Sequence, residues 1–498
     1  MSSNKRVIRN AFIYTTSNIL LKACSFLLIP IYTNYLTTDD YGIVSIINSF
    51  TSVAIYLIVF SLFSAVFRFY ADIKNDHCKV KRYIGTICTF CLITNVFFLA
   101  ICFCTQKIVS NTFFAGVDFF PIVLLALIYT STNSLYTLYQ DILKSMQFAK
   151  KSAVTSLLYF FVQLVICIYL VAILRLGAVG TITAYVVTQI VFCVWAFVDL
   201  NKMDVFQFCI DKELLKESLM YSIPIIPHNL STTIAQYVSK LFISGSFSLS
   251  AVGVFNLAQQ FGLIADTVQS SVSSAFQPWL FEQLNEKERT SKKNIFDLTK
   301  MLTWAYCFIF ILIGFFSKEA IEIIASKSYL PAWEVVPLIV LTYAIKIPYY
   351  FYVTVLFYYK KATNKVFIIT LSTSLLNIFL SALFIPELSM IGSVLADAIS
   401  MGSRVALVIV FSKKFGDVGF RLWSIVSRII YTMVIMGVFL LPSYLNGSIG
   451  TLFEILVKIV GVLVFMAGIL VFERKNLGNV KVIMLSGIDK IFRKGERE

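Results

Sequence analysis

Charge is scarce in this chain of 498 residues: Asp, Glu, Lys and Arg together make up 14% of it, against about 25% in an ordinary soluble domain. Histidine is scarcer still, with only His77 and His228. No GxxxxGK[ST] stretch occurs, so no phosphate-cradling loop for ATP is encoded. HExxH, GxSxG and CxxCH are also missing, which removes the usual signatures of a zinc hydrolase, a serine nucleophile elbow and an attached haem. Long polar insertions are missing too, so no catalytic domain stands clear of the apolar runs.

Cysteine is not scarce. Ten are present, and Cys88 and Cys91 form a CxxC. Neither histidine lies where it would complete a ligand set, and most cysteines fall inside apolar runs. They read as small packing residues. No metal and no cofactor is expected.

What the chain has in excess is apolar surface, with 58% of its residues hydrophobic. A soluble fold of this length could not hide so much. Apolar runs of spanning length lie at roughly 11–33, 42–68, 83–104, 119–142, 152–174, 178–199, 218–243, 252–281, 297–317, 332–359, 366–385, 389–411, 425–442 and 452–472. A span needs roughly 20 residues. The first run follows Lys5, Arg6 and Arg9 and is too long for the core of a cleavable signal. The expected fold is therefore an all-α polytopic membrane protein with about 14 transmembrane helices.

The basic residues test this reading. With the N-terminus inside, 32 of the 42 Lys and Arg fall on inside segments and 4 on outside loops: Lys107, Arg175, Lys318 and Lys327. That is the asymmetry of the positive-inside rule. It also accounts for the net charge of +15 without invoking nucleic acid. Both termini are expected on the cytoplasmic side.

The two halves repeat. Gly42 in DDYGIVSI aligns with Gly253 in SAVGVFNL, Ala65 in FSAVFRF with Ala275 in SSAFQPW, and Gly180 in AVGTITAY with Gly392 in MIGSVLAD. The offsets are 211, 210 and 212. Six helices per repeat is an even number, so the repeats are parallel, and parallel repeats commonly hold substrate between them near mid-membrane. The domains expected are 1–205 and 206–415, two six-helix bundles around a central cavity, and 416–498, two extra helices with a basic tail.

Polar residues inside spans face cavities or other helices rather than lipid. Asn18 and Lys22 share a face of helix 1 with Asn10, Tyr14 and Ser25. Tyr56 and Arg68 lie on the polar stripe of helix 2, Asn229, Gln236 and Lys240 on that of helix 7, and Gln259 on that of helix 8. Lys346 is intramembrane in helix 10. These nine form the expected substrate-cavity set. Asp266, Asn377 and Asp397 are the ion-coupling candidates. Helix–helix hydrogen bonding explains the hydroxyls equally well, and Arg68 can snorkel to the surface.

Several stretches carry a family resemblance: the opening NAFIYTTSNILLKACSFLLIPIYTNYLTTDDYGIVSIINSF, FRFYAD, KSMQFAKKSAV, LGAVGTITAYVVTQIV, SIPIIPHNL and AFQPWLFE. Together they resemble the Wzx-type polysaccharide repeat-unit flippases of the multidrug/oligosaccharidyl-lipid/polysaccharide exporter superfamily, over nearly the full length. That resemblance implies a bacterial inner-membrane protein turning an undecaprenyl-pyrophosphate-linked glycan to the outer leaflet, for O-antigen or capsule synthesis. It implies no enzymatic activity, and a polysaccharide polymerase and a chain-length regulator as partners. Two alternatives remain at this point: a multidrug or small-molecule exporter of the same fold, and a membrane glycan polymerase.

Overall fold

A computed structural model describes residues 3–286, 289–359, 363–445 and 451–473. The described residues are helical throughout, with short turns and no strand. Every apolar run read from the sequence is occupied by helix. Among the described residues, nine helices are long and apolar enough to cross a membrane by length and composition. One of them, α15 (Thr363–Lys413), is long enough to contain two of the expected runs and breaks at Ser389, where φ is 51°.

Other breaks have local causes. α1 (Ser3–Phe26) and α2 (Leu28–Tyr35) divide the first run. α3 (Thr38–Ile58) stops before Phe60 and Ser61, both at positive φ, and α4 (Leu62–Ile73) restarts in a new direction. Later, α10 (Lys212–Ser222) reaches α11 (Ile226–Ser246) through a 3-10 turn over Ile223–Ile225. Pro224 and Pro227 lack the amide hydrogens that an unbroken helix would use there.

By packing the chain divides into two units. The first comprises Met1–Gln260, Ala320–Val335 and Lys361–Arg404. Within it, α7 (Leu124–Ser145) is enclosed by α3, α4, α5 (His77–Cys104) and α9 (Gly177–Lys202). Buried polar groups join these helices. Ser131 and Ser134 donate to Asn95 Oδ1 at 2.8 and 3.0 Å, and Gln140 Nε2 donates to Thr155 of the next helix, α8 (Ala149–Cys167), at 3.0 Å. These hydroxyls and amides are inter-helix ties. The outward face of α5 is apolar and exposed at Val96, Phe97 and Ile101, as a lipid-facing surface requires.

The repeat leaves a mark in this first unit. A Cβ on Gly42 would run into the backbone oxygen of Leu249, and a Cβ on Gly253 would run into that of Thr38. Gly42 and Gly253, and likewise Thr38 and Leu249, are separated by the offset of 211 found in the sequence. Equivalent positions of α3 and α12 (Leu249–Glu286) therefore contact each other reciprocally, as a two-fold axis demands. Ser250 Oγ donates to Thr38 Oγ1 at 2.7 Å across the same crossing.

The second unit comprises Phe261–Glu319, Val336–Lys360 and the chain from Val405. It brings most of α12 and α13 (Arg289–Ile324) together with α14 (Ala332–Tyr358), α16 (Leu422–Leu445) and α17 (Thr451–Phe472).

Candidate functional site

Lys240 sits on α11, which packs along α3 in the first unit. It is 7% exposed. Its ammonium donates to Asn256 Oδ1 of α12 at 3.2 Å, and among the described residues no carboxylate comes within ion-pair distance of it. An amide oxygen solvates a cation but does not neutralise it. About three turns earlier on α11, Asn229 donates to Ser61 at 3.4 Å. Gln236 is exposed, and Gln259 and Tyr56 are half-buried. On the neighbouring face Ser239 meets Ser381 at 3.1 Å, so α11 is also tied to α15.

The remaining members of the expected cavity set separate. Lys22 is exposed on α1. Arg68 is exposed on α4 and pairs with Asp72 at 2.6 Å, one turn on. The side chain of Asn18 lies outside the described residues.

In the second unit Lys346 of α14 lies 2.6 Å from Asp266 of α12. Tyr350 donates to the same carboxylate oxygen at 3.2 Å. The ammonium stands 5.4 Å from the centre of the Tyr343 ring and 5.1 Å from that of Tyr350. A substrate candidate and an ion-coupling candidate thus form one group, half-buried and walled by two tyrosines. The cation is held by a carboxylate and two ring faces, an arrangement that strengthens as water leaves it.

The two limbs of α15 meet at the third group. Asn377 Nδ2 donates to Asp397 Oδ1 at 2.7 Å and to Ser400 Oγ at 3.0 Å. Arg404 donates to Thr373 at 2.8 Å and to Ser374 at 3.2 Å. Asn377 Oδ1 and Ser393 Oγ are buried without a protein partner. Buried oxygens around a carboxylate are the donor chemistry that hard cations select.

Sequence reading missed the pairing of charges on the C-terminal helices. Glu473, just past α17, pairs with Lys300 at 2.5 Å and Arg428 at 2.6 Å, and accepts from Trp304 Nε1 at 3.0 Å. Burial pushes the Glu473 carboxyl up, but its bonds to Lys300, Arg428 and Trp304 outweigh this and hold it below its ordinary value. Toward the other end of α13, Lys318 pairs with Glu454 at 2.7 Å and Lys458 with Glu319 at 2.5 Å. Lys458 and Arg428 are therefore buried partners that clasp α16 and α17 to α13. All ten cysteines are free thiols.

A polytopic all-helical membrane protein of this fold has known counterparts. The lipid II flippase MurJ, in an inward closed conformation, matches with TM-score 0.69 and 16% identity, over 93% of this chain and 99% of that one. An inward-facing multidrug resistance MATE family transporter of the MOP superfamily matches with TM-score 0.54 and 15% identity, over 83% and 96%. A MOP superfamily transporter from Pyrococcus furiosus, whose binding pocket is described as reversed in polarity, matches with TM-score 0.55 and 14% identity, over 82% and 95%. Identities this low establish the fold and nothing finer. No curated protein sequence matches the chain. The family of polysaccharide biosynthesis proteins matches residues 7–284, more than half the length, and the chain belongs to that family.

Proposed function

We propose that the chain is a flippase, not an enzyme, that carries an undecaprenyl-pyrophosphate-linked oligosaccharide repeat unit across the bacterial inner membrane. The product serves assembly of O-antigen, capsule or a similar glycan, with a polymerase and a chain-length regulator acting next. The observation that carries this reading is Lys240: a buried ammonium on the first helix of the second repeat, facing an amide and, among the described residues, no carboxylate. A charge at membrane depth costs about 3 kcal/mol on insertion scales. An anionic head group offsets that cost, and pyrophosphate supplies two phosphoryl groups for it. Family membership and the fold shared with a lipid II flippase support the same substrate class.

The mechanism proposed is alternating access between bundles 1–205 and 206–415, with 416–498 appended. The polyprenyl tail stays in lipid. The head group crosses against Lys240 and the amide and hydroxyl groups of α11 and α12, which replace the sugars' bonds to water. Asp397 with Asn377, and Asp266 with Lys346, are the proposed coupling groups.

Purified chain in proteoliposomes tests this. Undecaprenyl-pyrophosphoryl oligosaccharide placed in one leaflet is expected to become accessible in the other faster than in protein-free vesicles. Equal rates with and without protein, together with export of a cationic dye, would replace this reading by the multidrug one. The proposed 14-span topology puts Asn446 outside and Lys481 inside, both beyond the described residues. Thiol labelling of a cysteine at 446 only from the cytoplasm overturns it.

A further inference from the structure

α10 is an amphipathic helix fixed to the protein along one side only. Asp211 caps it, accepting from the amides of Glu213 and Leu214 at 3.0 and 3.2 Å, and pairs with Arg82 of α5 at 2.8 Å. Ser218 and Ser222 are buried, and Ser218 donates to Tyr83 at 3.3 Å. This side holds the hydroxyls and turns them inward.

The other side is different in kind. Lys212 and Lys216, four residues apart, lie on one face with Leu215, Leu219, Met220 and Ile223, spacings that a helix stacks together. They line an open groove of about 490 Å³. Met220 is 68% exposed. Near the ends of other helices, Lys81 pairs with Asp204 at 2.5 Å, Lys144 with Asp141 at 2.8 Å and Lys151 with Asp199 at 2.6 Å. Among the described residues Lys212 and Lys216 form no ion pair, although Glu213 and Glu217 are adjacent in sequence. Two uncompensated ammoniums at one end of a hydrocarbon-lined groove match a phosphate attached to acyl chains. The lining carries no hydroxyl or amide side chain, so the groove does not suit a sugar.

We infer that this groove binds an anionic phospholipid of the leaflet in which α10 lies, phosphate on Lys212 and Lys216 and acyl chain along Leu219 and Ile223. The bound lipid sits at the start of α11, the helix that carries Lys240, and so holds the N-terminal end of that helix to the membrane surface. The inference needs α10 at a membrane surface and is independent of what the chain transports.

The test is native mass spectrometry of the full-length chain in detergent, titrated with phosphatidylglycerol or phosphatidylcholine, together with hydrogen exchange over residues 212–223. Phosphatidylglycerol is expected to bind preferentially and to protect that segment. The double substitution Lys212→Gln with Lys216→Gln should lower the preference about fivefold per lysine. Lys212→Arg with Lys216→Arg should keep it, and Lys150→Gln with Lys202→Gln should leave it unchanged. An unaltered preference in the first pair, an equal loss in the last pair, or preferential binding without protection of 212–223 each overturns the inference. Lipid binding is read without transport, so its failure leaves the flippase reading standing, and absence of flipping leaves this site standing.

Discussion

Lys240 is a residue whose neighbours decide its meaning. Replacement by Ala removes a buried charge that the fold itself does not neutralise, so the protein should remain at wild-type level in the membrane while glycan display in a flippase-null strain falls tenfold or more, about 1.4 kcal/mol. Replacement by Arg should retain more activity, since the charge survives. Full complementation by the Ala variant would mean that Lys240 only packs. Glu473 has the opposite character. Glu473→Gln leaves Lys300 and Arg428 buried beside a neutral amide, a loss of about 3–5 kcal/mol when a buried pair is broken from one side. Its carboxyl is held below the ordinary value, so its stabilisation is present above about pH 4.5 and is lost as pH falls through the depressed value. Thermal melting in detergent at pH 7 and pH 4 should show the gap between wild type and Glu473→Gln shrinking at the lower pH. The sequence made Lys240 visible because a polar stripe repeats every three or four residues. It could not show Glu473 meeting Lys300 and Arg428, since those contacts join positions 173 and 45 residues apart, and a charge just past a span looks like an ordinary anchor.

At the scale of elements, caps and breaks do work that hydropathy does not register. Asp40 completes a capping box with Thr37 at the start of α3 and also accepts from the Ala178 amide at 3.0 Å, at the start of α9. One carboxylate thus serves two helix beginnings. Asp40→Ala should destabilise by about 2 kcal/mol, twice the usual cost of a lost cap, and Asp40→Asn by less. A melting temperature unchanged by Asp40→Ala would refute the double role. Ser389 turns α15 back at a φ of 51°, where a side chain is strained and glycine is not. Two apolar runs separated by Pro386, Glu387 and Leu388 were legible as a hairpin connection. The helices that divide at Leu27 and Ser61 were not, because each division falls inside an apolar run and leaves its hydropathy intact.

At the scale of the whole molecule, the repeat read from the sequence meets the structure at one crossing. Three near-equal offsets were faint signals singly. The reciprocal packing of Gly42 and Gly253 gives one of them a physical cause: a side chain at either position would strike the partner repeat's backbone. Thr38 and Ser250 lie at the same crossing, their hydroxyls 2.7 Å apart. In an alternating-access cycle a contact between equivalent ends of two repeats must open when the cavity faces that side. Cysteines at these two positions, in a chain otherwise stripped of reactive thiols, are close enough to be joined. Oxidation should then stop flipping in proteoliposomes, and a reductant should restore it. Each single cysteine variant should be indifferent to oxidant. Flipping at an unchanged rate with the cross-link complete would show that the repeats never part at this crossing, and the moving contact would have to lie elsewhere along α3 and α12.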